Sequence, residues 1–330
     1  MKFGLSTVTR GIFSTRENYR AVAQAAERAG FDFLSVSDHL VIPANFESHY
    51  PYAAGGVFAA AEHGHCLDQL STMAFLAGCT ERLRLLASVL VLPHRPAMLT
   101  AKMLATIDVL SSGRLILGAG AGWMKEEFAL LGAPFEERGK VTDEYLEAFR
   151  ELWTKDAPAY SGEHVKFSNL LFYPKPLQKP HPPIWIGGES PPAIRRTVRY
   201  ADAWYPGNNS QTMPLDTPAR LAAGIAKVRG ACEAAGRDPA TMDLALLVQD
   251  FFEWEPYKIR DGSARRLFTG TSADMIEDVE ALSEIGFTHA ALRLGGATTD
   301  EAVARIERFG AEVIGRQRTD DGRQKTDKRG

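Results

Sequence analysis

Cysteine is scarce in this chain: Cys66, Cys79 and Cys232 are its only three, odd in number and far apart. Such usage excludes a disulfide framework and a zinc cluster, and leaves reduced structural thiols. Long apolar runs are missing too. No stretch reaches the ~18 residues of a membrane-spanning helix. The opening MKFGLSTVTRG has no signal-peptide core, so the expected location is cytoplasmic. Charge of one sign is also in short supply. With 38 basic and 41 acidic residues the formal net charge is −3, which gives no electrostatic case for nucleic acid or an anionic membrane as partner.

Several catalytic signatures are absent as well. There is no nucleophile elbow and no P-loop lysine. A dinucleotide fingerprint G-x-G-x-x-G fails because Trp123 stands where its third glycine belongs. His63-x-His65 has metal-ligand spacing but falls in an irregular stretch away from any strand end, and no metal is expected.

What is present is an alternating rhythm. Eight short apolar runs read as strands: Phe3–Thr7, Phe31–Val36, Leu83–Leu92, Arg114–Gly118, Ile184–Ile186, Ala201–Tyr205, Met242–Gln249 and Thr288–Arg293. Between them apolar residues recur at helical spacing, as in Tyr19, Val22, Ala23 and Ala26, or Val141, Tyr145, Phe149 and Leu152. This order predicts an α/β fold, a (β/α)8 TIM barrel forming one domain over residues 1–315. Two insertions interrupt it, after strands two and four. The first, Leu40–His65, is rich in Pro, Gly, Ala and aromatics (Phe46, Tyr50, Tyr52, Phe58) and reads as a lid or pocket wall. The second, Tyr160–Pro183, is laid out as extended chain by its prolines. Gly315–Gly330 has no apolar residue and six basic ones, so residues 316–330 are expected to be a disordered tail.

The chain is organised around Ala105–Trp123. A helix ends at Ser111-Ser112-Gly113, a buried strand follows, and Gly118, Gly120 and Gly122 alternate with alanines at its carboxyl end. Bare backbone there admits the close approach of something flat; a glycine-lined turn with no ligand is the plainer reading. In such a barrel the chemistry sits at the strand carboxyl ends. Here those ends carry Asp38-His39, Ser88 to Val91, Gly118 to Trp123 and Gly187 to Ser190, with no neighbouring pair of carboxylates for glycoside hydrolysis. Glycine, one acid–histidine pair and apolar walls suit an organic cofactor that carries the chemistry while the protein positions it.

Four segments then carry a resemblance over residues 1–315. They are Ser35-Val36-Ser37-Asp38-His39, Leu86 to Pro93, Leu110 to Trp123 with Glu126-Glu127-Phe128, and Pro183-Ile184-Trp185-Ile186-Gly187-Gly188. In this order the chain resembles the bacterial luciferase-like monooxygenase superfamily, in particular its coenzyme F420-dependent oxidoreductases. The resemblance implies a barrel holding a deazaflavin, or FMN, at the strand carboxyl ends. It implies that Asp38 lies beside the cofactor and that His39 transfers a proton or orients the substrate, against the plainer reading of a histidine capping a strand. It also implies a non-prolyl cis peptide at Ser88-Val89 against the cofactor ring, with Ala121 and Gly122 lining that ring. Gly187, Gly188 and Ser190 would meet the phosphate, and Trp123, Phe46 and Tyr50 the substrate.

Two departures stand out. Glu189 follows the second glycine pair, where its charge opposes a phosphate, and Trp123 stands where sugar-phosphate dehydrogenases of the family place a glutamate. The expected activity is hydride transfer between coenzyme F420 and a small organic substrate. FMN-dependent monooxygenation, fed by a partner flavin reductase, is the alternative, and a flavin-binding protein without catalysis a third. Homodimers are common in the family, although no stretch here marks an interface.

Overall fold

The computed structural model describes residues 1–58, 65–251, 254–259 and 261–317. Nine strands form one sheet that closes on itself: β1 (Lys2–Thr7), β2 (Phe33–Val36), β3 (Arg84–Ala87), β4 (Leu90–Val91), β5 (Leu115–Gly120), β8 (Ile184–Gly187), β9 (Ala203–Tyr205), β10 (Asp243–Phe251) and β11 (His289–Arg293). All pairings are parallel, and closure comes from β3 against β5 and from β1 against β11. Because β3 and β4 are one staved run, the barrel has the eight strands expected. The run Leu83–Leu92 does not stay continuous: the Ser88–Val89 peptide is cis, as the resemblance implied, and it separates β3 from β4.

Helices α1 (Arg16–Arg28), α2 (Gln69–Ala77), α3 (Ala97–Leu110), α4 (Lys125–Leu130), α5 (Arg138–Thr154), α6 (Pro191–Tyr200), α7 (Pro218–Ala234), α8 (Ser272–Glu284) and α9 (Thr299–Phe309) surround the barrel. Their starts follow from local chemistry. Thr15 caps α1 by accepting from the Asn18 N–H, and Thr271 and Asp274 form a reciprocal capping box on α8. Tyr19, Val22, Ala23 and Ala26 then bury the inner face of α1 against the strands. A π-turn at Gly310–Ile314 extends α9, and Arg316 and Gln317 are still helical; the rest of the expected tail lies outside the described residues.

Inside the barrel, strand alternation sends Phe33, Leu86, Ile116, Trp185, Ala245 and Ala291 to the lumen. Phe33, Trp185 and His289 stack with ring centroids 5.0–6.0 Å apart and fill its lower layer. The barrel is therefore solid below and open only at the strand carboxyl ends. Two features differ from the sequence reading. The second insertion holds a small antiparallel hairpin, β6 (Tyr160–Ser161) with β7 (Lys166–Phe167). A third long connection, which the sequence reading passed over, separates β10 from α8 and is closed by a Lys258–Arg265 bridge. Among the described residues no helix is long and apolar enough to cross a membrane.

Candidate active site

At the strand carboxyl ends lies a cavity of about 600 Å³, walled by the ends of β1, β2, β4, β5, β8, β9, β10 and β11 and by the first insertion. His39 sits in its wall. The imidazole Nδ1–H donates to Glu127 Oε2 at 2.7 Å, which leaves Nε2 as the nitrogen for a ligand. Glu127 is the functional residue that sequence reasoning missed. It is 1% exposed, lies on α4, and its other oxygen accepts the Leu40 and Val41 N–H groups at 2.8 and 3.3 Å. Burial pushes its carboxyl up, but the His39 bond, the charges of His39 and His94 and the Leu40 N–H outweigh it, so Glu127 stays below its ordinary value and ionised. A signal for it existed. Met124, Glu127 and Phe128 fall at i, i+3 and i+4, and both apolar members are buried, so the glutamate shares the inward face. His94 lies 3.9 Å from the same carboxylate, edge-on to Phe128, and burial holds its pKa below the ordinary value.

Asp38 does something other than pair with its neighbour. Asp38, just past the end of β2, turns to Arg95, which grips both its oxygens at 2.8 Å. Asp38 also accepts the Val91 N–H at 3.0 Å, and Arg95 reaches on to Asp68. This buried fork locks the end of β2 to β4 and so fixes the segment that carries Ser88 and Val89. The expected acid–histidine pair is therefore Glu127–His39, with Asp38 holding the frame.

The glycine run also has a physical reason of its own. Val89 seats its two methyl groups against Gly120 and Gly187: an added Cβ would come within 2.6 Å of one methyl and 2.7 Å of the other. Gly122 has φ +85°, and a Cβ there would strike Phe128 and Val91. The bare backbone is thus filled first by protein, and Val89, Ala121 and Gly122 present the resulting surface to the cavity. Ser88 Oγ lies 3.0 Å from the hydroxyl of the buried Tyr205.

Gly187, Gly188 and Ser190, the expected phosphate contacts, all line the cavity. The Gly188 N–H donates to the Tyr205 carbonyl. The start of α6 has prolines at Pro191 and Pro192, which lack N–H groups, and the Ala193 N–H goes to the Ser190 hydroxyl. The cations at that rim are Arg138 and Arg196, both on the cavity wall beside Ser190. Glu189 is buried, receives the Tyr52 hydroxyl at 3.4 Å, and is pushed up by burial toward its neutral form.

The first insertion is folded over the mouth and pinned. Glu126 accepts from the Glu47 and Ser48 N–H groups, Glu127 from Leu40 and Val41, and Asn209 donates to the Tyr52 carbonyl. Tyr50, Phe58 and Trp123 pack together with centroids 5.2–5.4 Å apart, and His39 lies 4.8 Å from Phe58. Tyr50 and Trp123 reach the cavity as expected. Phe46 does not: it packs with Met124 and Ile42 behind the wall. His63 lies outside the described residues.

Comparison with known proteins agrees with this architecture. The family model of luciferase-like monooxygenases matches residues 1–252. An uncharacterized protein of Mycobacterium tuberculosis, Rv0953c, is 31% identical over 317 residues, covering 95% of this chain and 99% of the relative. The FMNH2-dependent dimethylsulfone monooxygenase of Pseudomonas putida is 34% identical over 194 residues, 58% of this chain and 48% of that protein. Among solved structures, an F420-dependent secondary alcohol dehydrogenase in complex with an F420–acetone adduct shares the fold with a TM-score of 0.72. It is 18% identical and covers 95% of this chain and 98% of its own.

Proposed function

The chain belongs to the luciferase-like monooxygenase family, and from that premise we propose that it is an oxidoreductase moving a hydride between coenzyme F420 and a small organic substrate. The observation that carries this reading is the Glu127-held His39 facing the cavity 2.7 Å from its carboxylate partner. The residues suit a flat heterocycle with an anionic chain. Val89, Ala121 and Gly122 form a smooth surface for the ring, and Arg138, Arg196 and the Ser190 hydroxyl stand where an anionic chain would leave the mouth. When bound, the deazaflavin supplies the carbon that gives or accepts the hydride.

The protein's own residues do the rest. Glu127 fixes the tautomer and tilt of His39, so Nε2 presents either a lone pair or a proton to a substrate oxygen or nitrogen. Tyr50, Phe58 and Trp123 exclude water and hold the substrate flat, and enforced proximity of the reacting atoms supplies much of the rate. A relative named as an FMNH2-dependent monooxygenase favours a second reading on the same residues, with reduced FMN, oxygen and a partner flavin reductase.

Side-by-side titration with coenzyme F420 and FMN, followed by tryptophan fluorescence, separates the two. Tight F420 and weak FMN binding supports hydride transfer; the reverse order supports the monooxygenase. His39→Ala is expected to lower turnover by about 10²–10⁴ while cofactor affinity stays within about twofold. Unchanged turnover removes His39 from the chemistry.

A further inference from the structure

Behind the cavity wall one polar side chain has nothing to bond to. Both ring nitrogens of His94 are shut off from solvent and, among the described residues, neither has a hydrogen-bond partner. The side chain is 2% exposed. Buried polar atoms are bonded in the great majority of cases, so an idle imidazole this close to the site calls for a reason. An acceptor stands nearby but out of range: Glu127 Oε1 is 3.9 Å from His94 Nδ1. We infer that His94 is a positioning residue, the standby partner of Glu127. It takes Oε1 when the Leu40 and Val41 N–H groups withdraw, and the carboxylate keeps its hold on His39 throughout. This deepens the proposed function and rests on reading Glu127 and His39 as the pair that handles the proton.

In the structure both oxygens of Glu127 are in use. Oε2 has His39 Nδ1 at 2.7 Å, and Oε1 accepts from Leu40 and Val41 at 2.8 and 3.3 Å. Leu40 and Val41 begin the stretch that carries Tyr50, Tyr52 and Phe58 to the cavity wall. Lifting that stretch removes both N–H groups from Oε1 at once, while the glutamate stays on α4, 1% exposed. A buried carboxylate oxygen left without a donor bears the desolvation of its charge uncompensated. Taking up a proton or turning to another donor would relieve it, and either change disturbs the bond to His39.

His94 is the donor in place. It lies in the turn Leu92–His94 between β4 and α3, and the backbone there is fixed because Arg95 is bound to Asp38 and Asp68 at 2.8 Å. Its ring meets Phe128 edge-on, with centroids 4.5 Å apart. With its proton on Nδ1, the imidazole needs to move about 1 Å to make a hydrogen bond to Oε1. The charged and titratable groups around it are Glu127 and Asp38, which attract an N–H, and Arg95 and His39, which those two acids already hold.

A standby partner and a merely packed ring differ in sign. Without the standby donor the lifted state is less favourable, so the Leu40 and Val41 amides exchange more slowly. A ring that only packs gives the opposite: its replacement loosens the surroundings, and exchange is faster or unchanged. The test is site-resolved hydrogen exchange on the full chain without cofactor. His94→Phe, which keeps a ring against Phe128, is expected to slow the Leu40 and Val41 amides by about fivefold or more, with the amides of β1 unchanged. His94→Gln, which returns an N–H donor, is expected to restore the native rate. Should His94→Phe fail to fold, His94→Leu carries the same expectation. Equal or faster exchange in the apolar variant, a slowing shared by β1, or a glutamine variant as slow as the apolar one would overturn the inference. Slowed exchange together with unchanged turnover in His39→Ala would remove the proton-handling reading and leave the standby contact standing.

Discussion

At the amino-terminal end of the barrel Arg114 uses all five of its N–H donors within the protein. They reach the carbonyls of Ser111, Leu83, Ala77 and Thr80 and the Thr80 hydroxyl, at 2.6–2.9 Å. At the mouth, Arg10 stacks on Phe58 and keeps its donors for the cavity. The same side chain is mortar at one end and instrument at the other. What decides is the number of orphaned carbonyls nearby: the end of α2, the link from it to β3 and the cap of α3 supply many, whereas the strand ends around Arg10 supply an aromatic face.

The sharpest way to break this contrast is Arg114→Ala. Three elements lose their shared donor, and stability should fall by about 4 kcal/mol, read as a drop of several degrees or more in Tm, with cofactor binding to the folded protein unchanged. A Tm within a degree of native would show that the base does not depend on this arginine. His289 tests the same end by pH. Burial, with Lys2 and Arg84 nearby and only Asp243 opposing, lowers its pKa from 6.5 to about 4. The unfolded chain therefore takes a proton that the folded one refuses between those values. Stability should be full above pH 6.5 and decline toward pH 4 by up to about 3 kcal/mol; His289→Phe should flatten that part of a denaturation series, and a slope equal to native would exclude it as the cause.

At the mouth, Glu127→Gln keeps volume but reverses the hydrogen bond to His39. Turnover should drop by about 10²-fold as the wrong tautomer is held, while cofactor titration stays near native; equal turnover would leave Glu127 a structural role only. The smallest effect belongs to Arg10→Gln, whose stability should change by no more than about 0.5 kcal/mol. A large loss there would make Arg10 mortar as well.

The barrel was legible because its strands are short, apolar and regularly spaced, and because each is followed by a helical pattern. Its site was legible only in part. Asp38-His39 reads as a pair when written in a line, yet beyond the end of β2 the two turn to different partners, Arg95 and Glu127. Glu127 was hidden among the ordinary charges of a six-residue helix, beside Glu126, which faces outward to the lid. Arg10 and Arg293 stand 283 positions apart in the chain, and no local pattern reports that barrel closure puts both on one cavity wall. Gly187-Gly188 matches a phosphate pattern, and the structure adds what the pattern does not state: Pro191 and Pro192 beside it carry no N–H, and the Gly188 N–H goes to the Tyr205 carbonyl. Phe46 was chosen by type, and its burial behind Met124 depends on how the insertion folds.

The seating of Val89 between Gly120 and Gly187 has a bearing on how this protein can change over descent. A methyl added to either glycine lands 2.6 or 2.7 Å from a Val89 methyl, so neither can drift to alanine alone. A smaller residue at 89 would release both positions at once. The three sites, drawn from β5, β8 and the link between β3 and β4, are therefore expected to evolve as a linked set. A lineage that reshapes the surface offered to the ring has to alter its valine first and its glycines afterwards.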